Sequence, residues 1–328
     1  MQTLEPGSYV MGLTPFGRDG RVDEGALREH VQRMAQEGIG FWPASPATGE
    51  GVQMDDADLL RVLKVSVDAM AGRFPVVASS REFPTAAQNV HFAAVAHGAG
   101  ADAVQLYPPT LGHSFAPTVG MLEAFYDDVL SESGAPTVLS GNFMTGFEVP
   151  TAVLERVVAT YPHVVGVFKH HPDQQNVSQF VQRLAPHTTV LTMTSRTMFS
   201  AAVGAQGELD NLQNIAPRLC RGLHDAIHGG NPAAASDLYQ HLTRLWGAVT
   251  GFCAEYSAPR VVVYKAILSL LGRPGWHPRK PYVELGSGAQ RALERLLDEV
   301  QLAESEGIAV TKPDTMPARP APIIGGSS

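Results

Sequence analysis

VVGVFKHHPD (164–173) begins as an apolar run and ends on a lysine, two histidines, a proline and an aspartate. The run is rich in β-branched residues and does not alternate with polar ones. That pattern predicts a strand covered on both faces, as in a parallel sheet. A helix-length amphipathic segment, QNVSQFVQRLAPH (175–187), follows at once. The same pairing recurs along the chain. Apolar runs at 9–16, 40–45, 74–80, 101–109, 136–142, 188–195 and 207–211 precede helical segments at 24–38, 55–72, 84–100, 118–133, 150–162, 196–205 and 215–230. Repeated βα units imply an α/β fold with a parallel sheet. Their regular spacing, filling most of the ~250 residues such a fold uses, favours a (β/α)8 TIM barrel over an open doubly wound sheet. Three more helical segments, 231–249, 259–272 and 287–305, predict a C-terminal helical extension. The expected organisation is a barrel over 1–230, a helical domain over 231–305 and a flexible Pro/Gly/Ser-rich tail over 306–328.

Composition removes several function classes. The 328 residues are 44% hydrophobic and 17% charged, enough apolar mass for a sizeable core. A net charge of −8 without a long basic run argues against nucleic-acid binding and against attraction to an anionic membrane. No apolar run is long enough to span a bilayer, and the first residues lack the cationic start and apolar centre of a signal peptide. Cys220 and Cys253 are the two cysteines, expected as free thiols in a reducing cytoplasm. No metal or cofactor is expected. His170-His171 lacks a third ligand at zinc-type spacing, and GAGAD (98–102) closes a helix before a strand, the wrong order for a dinucleotide loop.

In a barrel, chemistry sits at the C-terminal ends of the strands. Lys169 ends the sixth apolar run. A lysine there is either a strand-end residue reaching water along its stem or an amine made nucleophilic by a partly apolar pocket, able to form an imine with a ketone. PATGEG (46–51) is a turn after the second run whose backbone N–H groups suit a carboxylate, or else an ordinary loop.

Five stretches add a resemblance. LTPFGRDGRVDEGALREHV (13–31), ATGE (47–50), FPVVASSREFPTAAQNVHFAAVAHGAGADAVQLYPP (74–109), GAQGELDNLQNIAP (204–217) and PRVVVYKAILSLLG (259–272) follow, in order and spacing, motifs of the dihydrodipicolinate synthase / N-acetylneuraminate lyase family of Schiff-base aldolases and dehydratases. The likeness runs from about Gly12 to Gly272. It implies a (β/α)8 barrel with a C-terminal helical domain, often tetrameric. It places the Schiff-base lysine on Lys169 and makes Lys265 a non-catalytic lysine of the helical domain.

The departures from that family are specific. Ser140 stands where the proton-shuttling tyrosine is usual, Met144 where an arginine is usual, and Ala47–Thr48 where paired threonines are usual. The tyrosine often found after the fourth strand is replaced around Pro108, Pro109 and Thr110, and Gly166 to Lys169 is one residue longer than the usual spacing. If Lys169 forms an imine, another group must move protons. Ser140, His113, His170 and His171 are the candidates. Alternation along a strand should turn His171, not His170, toward the side of Lys169.

The resulting expectation is an aldolase-type, Schiff-base lyase acting on pyruvate or a related 2-oxo acid, with an aldehyde partner. Lys169, Ser140 and His171 would be catalytic, and Ala47, Thr48, Gly49, Asn142 and Tyr107 would bind substrate. A homo-oligomer, dimer or tetramer, is expected. Two alternatives stand beside it: a hydratase or dehydratase using the same lysine, and a catalytically inactive barrel acting as a binding or scaffold protein.

Overall fold

Each of the eight apolar runs coincides with or overlaps a strand. In the computed structural model, which describes residues 3–79, 81–113, 115–273 and 275–308, they are β1 (Ser8–Met11), β2 (Ile39–Trp42), β3 (Val77–Ser79), β4 (Ala103–Leu106), β5 (Thr137–Asn142), β6 (Val164–His170), β7 (Thr189–Thr192) and β8 (Gly207–Asp210). Every pairing is parallel, in the order β2-β1-β8-β7-β6-β5-β4-β3. The two ends of that order meet through a bridge between Phe41 and Val76, which closes the sheet into a barrel. Between strands run α1 (Glu24–Gln36), α2 (Asp56–Met70), α3 (Ala86–Gly98), α4 (Val119–Ser133), α5 (Thr151–Thr160), α6 (Gln174–Leu184) and α7 (Thr197–Ala202), and α8 (Pro217–His228) follows β8. Several begin on a side-chain cap. Asp23, Asp55, Thr85 and Thr118 each accept an N–H of the first turn, one of the donors a helix start leaves unpaired.

Period-two alternation sorts the strand residues into two sets. One apolar cluster draws a residue from every strand: Tyr9, Trp42, Val77, Ala103, Val138, Val165 with Phe168, Leu191 and Leu209. This is the barrel interior. Leu4 plugs its N-terminal end, with its N–H donating to Val165 O at 2.7 Å and its carbonyl accepting from Thr189 Oγ1 at 2.6 Å. The alternate residues, Val10, Phe41, Ala78, Leu139, Val167 and Val190 among them, pack outward under the helices.

The C-terminal extension consists of α9 (Pro232–Glu255), α10 (Arg260–Leu270), α11 (Ser287–Glu299) and the short α12 (Leu302–Ser305). These share a core with α8. Glu306, which the sequence reading put at the start of the tail, is buried. Its carboxylate takes the N–H groups of Arg218 and Leu219 at the start of α8, at 3.1 and 3.2 Å, and pairs with Arg33. Residues 309–328 of the expected tail lie outside the described residues.

The extension is tied to the barrel by a buried ion pair. Lys265 of α10 and Glu50, which follows β2, are 1% and 0% exposed and bonded to each other, and the Lys265 ammonium lies 4.4 Å from the centre of the Phe16 ring. Burial pushes the Lys265 amine down to about 8 even against the pull of Glu50. Removing one partner of such a pair leaves an uncompensated buried charge. Lys265→Met should therefore lower the unfolding free energy by about 3–5 kcal/mol, read from denaturant midpoints; a loss below about 1 kcal/mol would show that Glu50 is not held as a buried ion.

Candidate functional site

At the C-terminal end of the barrel, β6 decides what faces inward. Its register against β5 runs Thr137↔Val164 and then Val138↔Gly166, so Val165 is an extra residue on the β6 side. Val164 and Val167 pack outward, while Val165 and Phe168 pack inward. The insertion sets the phase of everything beyond it. Phe168 points into the barrel, edge-on to Trp42 at 6.4 Å between ring centres. Lys169 then points out.

The outward position of Lys169 is visible in its neighbours. Its ammonium sits 4.8 Å from the centre of the Phe180 ring on α6 and donates to Glu148 Oε1 at 2.8 Å. Its register partner, Thr192, also faces outward and bonds Ser200 of α7. Gly141, beside it on β5, faces the same side, since a Cβ there would lie 3.5 Å from both Lys169 Cδ and Phe180 Cζ, an ordinary contact distance. The amine is thus turned away from the mouth of the barrel and toward α6. Lys169 is 1% exposed but buried on the helix side of the sheet. A buried ammonium needs a counter-charge, and Glu148 supplies it. Burial pushes the Glu148 carboxyl up, but hydrogen bonds from Lys169 and Asn176 outweigh it and hold the group below the usual range.

His171 goes with Lys169, as alternation requires. Its Nε2 is 3.7 Å from Glu148 Oε2, and its Nδ1 accepts the Asp173 N–H at 3.1 Å. His170 takes the inner side, with its ring 5.1 Å from Phe143 and 6.5 Å from Phe168. Burial pushes its imidazole down to about 4, with Arg196, His171 and Lys169 adding to the effect, so it is neutral at pH 7. His113 is exposed, in the loop after β4.

The remaining expected residues fall into two groups. Ser140 faces inward next to Phe168 and is 0% exposed. Tyr107 is buried near Ser79 and Gln105, and burial pushes its phenol up, so it stays protonated. Asn142 ends β5, where its Oδ1 accepts the Met144 N–H at 3.0 Å and so caps the turn over 143–145. The Ala47–Gly49 loop is held from below: Thr14 Oγ1 donates to Gly49 O at 2.9 Å, and Gly49 N–H donates to Ser45 Oγ at 3.0 Å. Gly49 is required there, because a Cβ would lie 2.5 Å from Ser45 N. The Glu50 N–H goes to Ala47 O, so Thr48, half-buried, and exposed Ala47 carry the loop's outward donors.

The inner wall also holds polar atoms that sequence reading did not single out. Trp42 Nε1, Gln105 Nε2 and Ser140 Oγ are buried and find no partner among the described residues. Among the aromatic residues near these strand ends, Trp42 lines the interior, Phe143 lies against His170 and His171, and Phe41 and Phe147 pack outside. Phe168, the residue that displaces the lysine, was legible only as the extra position between Gly166 and Lys169. No group of three or more His, Cys, Asp or Glu side chains able to hold a metal occurs among the described residues, and no helix among them is long and apolar enough to cross a membrane.

The comparisons agree with this architecture. The chain is 30% identical over 299 residues to a 4-hydroxy-tetrahydrodipicolinate synthase of Methylobacterium radiotolerans, covering 89% of this chain and 94% of the relative. It is 27% identical over 303 residues to an uncharacterized DapA-like lyase of Pyrobaculum islandicum, covering 90% and 98%. Among solved structures it superposes on YagE, an E. coli K12 prophage protein crystallised in complex with pyruvate, with a TM-score of 0.82 at 21% identity, covering 92% of this chain and 100% of that one. The dihydrodipicolinate synthase of Aquifex aeolicus gives 0.80 at 23% identity, covering 91% and 99%. With residues 6–300 matching the family's sequence profile, the chain belongs to the Dihydrodipicolinate synthetase family.

Proposed function

We propose that the mouth of this barrel takes a 2-oxo acid, pyruvate or a close relative, and holds it without an imine. The observation that carries this reading is the inward side chain of β6, which is Phe168 where an attacking amine would have to stand. The ligand class rests on family membership and on the structural neighbour that holds pyruvate. The Thr48 hydroxyl and the outward N–H groups of the Ala47–Gly49 loop suit a carboxylate. Trp42 Nε1, Gln105 Nε2 and the Ser140 hydroxyl are donors for a keto oxygen, because a buried donor without a partner gains most from acquiring one. His170, neutral, is an inner ring able to accept or donate a hydrogen bond to the ligand.

The Schiff-base lyase expected from the sequence stands as a second reading, and one observation favours it. Lys169 is buried within one residue of the inner face, and a one-residue slip of the end of β6 would exchange Phe168 and Lys169 between faces. That slip would also break the pairing with Glu148. An aldehyde co-substrate, a dimeric or tetrameric assembly and a cytoplasmic location accompany this reading and draw their support from family membership.

Borohydride reduction in the presence of pyruvate separates the two. Calorimetry should detect pyruvate binding, while intact mass after reduction should show no stable adduct. An adduct mapped to Lys169 would establish the imine and remove the first reading; absence of binding would remove the ligand class.

The converse substitution is a sharper check. Phe168→Lys places an amine beside Trp42 and Leu191, where desolvation lowers its pKa and makes it nucleophilic. Provided circular dichroism shows a folded protein, this variant should give a pyruvate adduct trapped on residue 168. A folded variant that traps nothing would show that position 168 does not reach the ligand.

A further inference from the structure

A second cavity, of about 240 Å³, opens where the loops after β7 and β8 meet α9. It lies outside the barrel, because Leu209 takes the inner face of β8 and Asp210 therefore the outer. Its walls are apolar and aromatic: Leu212, Leu242, Tyr239 and Trp246. Two charged side chains of opposite sign, Asp210 and Arg196, also line it.

Asp210 is 1% exposed. Its carboxylate accepts the Asn211 backbone N–H at 2.7 Å, with the backbone of Thr194 and Leu212 close by, and Arg260 acts on it through space. Burial pushes its pKa up to about 6, which leaves it mainly ionised at pH 7. Neutral donors satisfy the oxygens without cancelling the charge, so a cationic ligand group would be favoured beside it. Arg196 gives one N–H to Pro172 O at 2.6 Å and has further donors in its planar fork. The aromatic walls are fixed. The Tyr239 hydroxyl donates to Ser195 O at 2.8 Å, and the Arg260 guanidinium lies 5.6 Å from the centre of the Trp246 ring. Trp246 is 36% exposed and forms the rim.

A plain amine would meet Asp210 but be repelled by Arg196 and Arg260. A plain carboxylate would meet Arg196 but be repelled by Asp210. We propose that this cavity binds a small zwitterion with an apolar body, an α-amino acid with an aromatic or branched side chain. Its ammonium sits on Asp210, its carboxylate on Arg196, and its side chain between Tyr239, Leu242 and Trp246.

Calorimetry on the full chain tests this with L-phenylalanine and L-leucine, against phenethylamine, which lacks the carboxylate, and 3-phenylpropionate, which lacks the ammonium. At least one of the two amino acids should bind saturably at one site per chain. Each single-charge analogue should bind at least about tenfold more weakly, the loss of one charge-assisted hydrogen bond. Asp210→Asn, Arg196→Gln and Trp246→Leu should each weaken amino-acid binding. Trp246→Leu, at the exposed rim, keeps the test open if the buried aspartate proves necessary for folding. Saturable binding of neither amino acid, equal binding of either analogue, or binding unchanged in both Arg196→Gln and Trp246→Leu would overturn the assignment.

Discussion

A strand shows its side chains alternately to its two faces, so one inserted residue reverses every assignment beyond it. In β6 that residue is Val165. Its consequence is not confined to the strand. Phe168 fills the interior against Trp42, His170 follows it inward, and Lys169 and His171 turn to the helix side. Because a buried ammonium cannot stand alone, Glu148 is drawn to Lys169 and brings with it the segment joining β5 to α5. Phe143, in the same segment, lies against both histidines. The chemistry open to the mouth of the barrel and the path of the loop beside it thus depend on one register shift.

The opposite side of the mouth is set by a different constraint. The Ala47–Gly49 loop is pinned below by Thr14 and Ser45, and its neighbour Glu50 is locked to Lys265 of the C-terminal extension. The extension therefore reaches the loop assigned here to a carboxylate through one buried charge pair. Arg279 strengthens the same junction. It donates to Gly20 O and Gln53 O and pairs with Asp58 at 2.6 Å. A loop held from the core and from a separate helical layer would pay little ordering entropy if it bound the ligand proposed above.

The fold was legible because each βα unit repeats its own signal: an apolar run, a capping residue, then an amphipathic segment. Asp23, Asp55, Thr85 and Thr118 mark helix starts in the sequence and cap them in the structure. The site was less legible, for a physical reason. Type and order of residues are local properties, but the face a strand-end residue occupies depends on the register of the neighbouring strand. Alternation correctly separated His170 from His171 and placed His171 with Lys169. It could not say which of the two faces was the interior. The extra residue between Gly166 and Lys169 held that answer, and its meaning emerged only from the pairing of Val138 with Gly166. Glu148 escaped notice because the ion pair it forms spans 21 positions of sequence.

The two buried lysines are housed alike. Lys169 and Lys265 are each 1% exposed, each pairs with one glutamate, and each lies over a phenylalanine ring, at 4.8 and 4.4 Å. Both satisfy a desolvated cation in the same way, by a counter-charge on one side and a ring face on another. An imine-forming amine needs the reverse: a lone pair free of a proton and an open path to a carbonyl. Glu148 instead accepts a hydrogen bond from the Lys169 amine at 2.8 Å. In this packing Lys169 fills the space between β6 and α6, and the interior at that level is left to Phe168 and its neighbours.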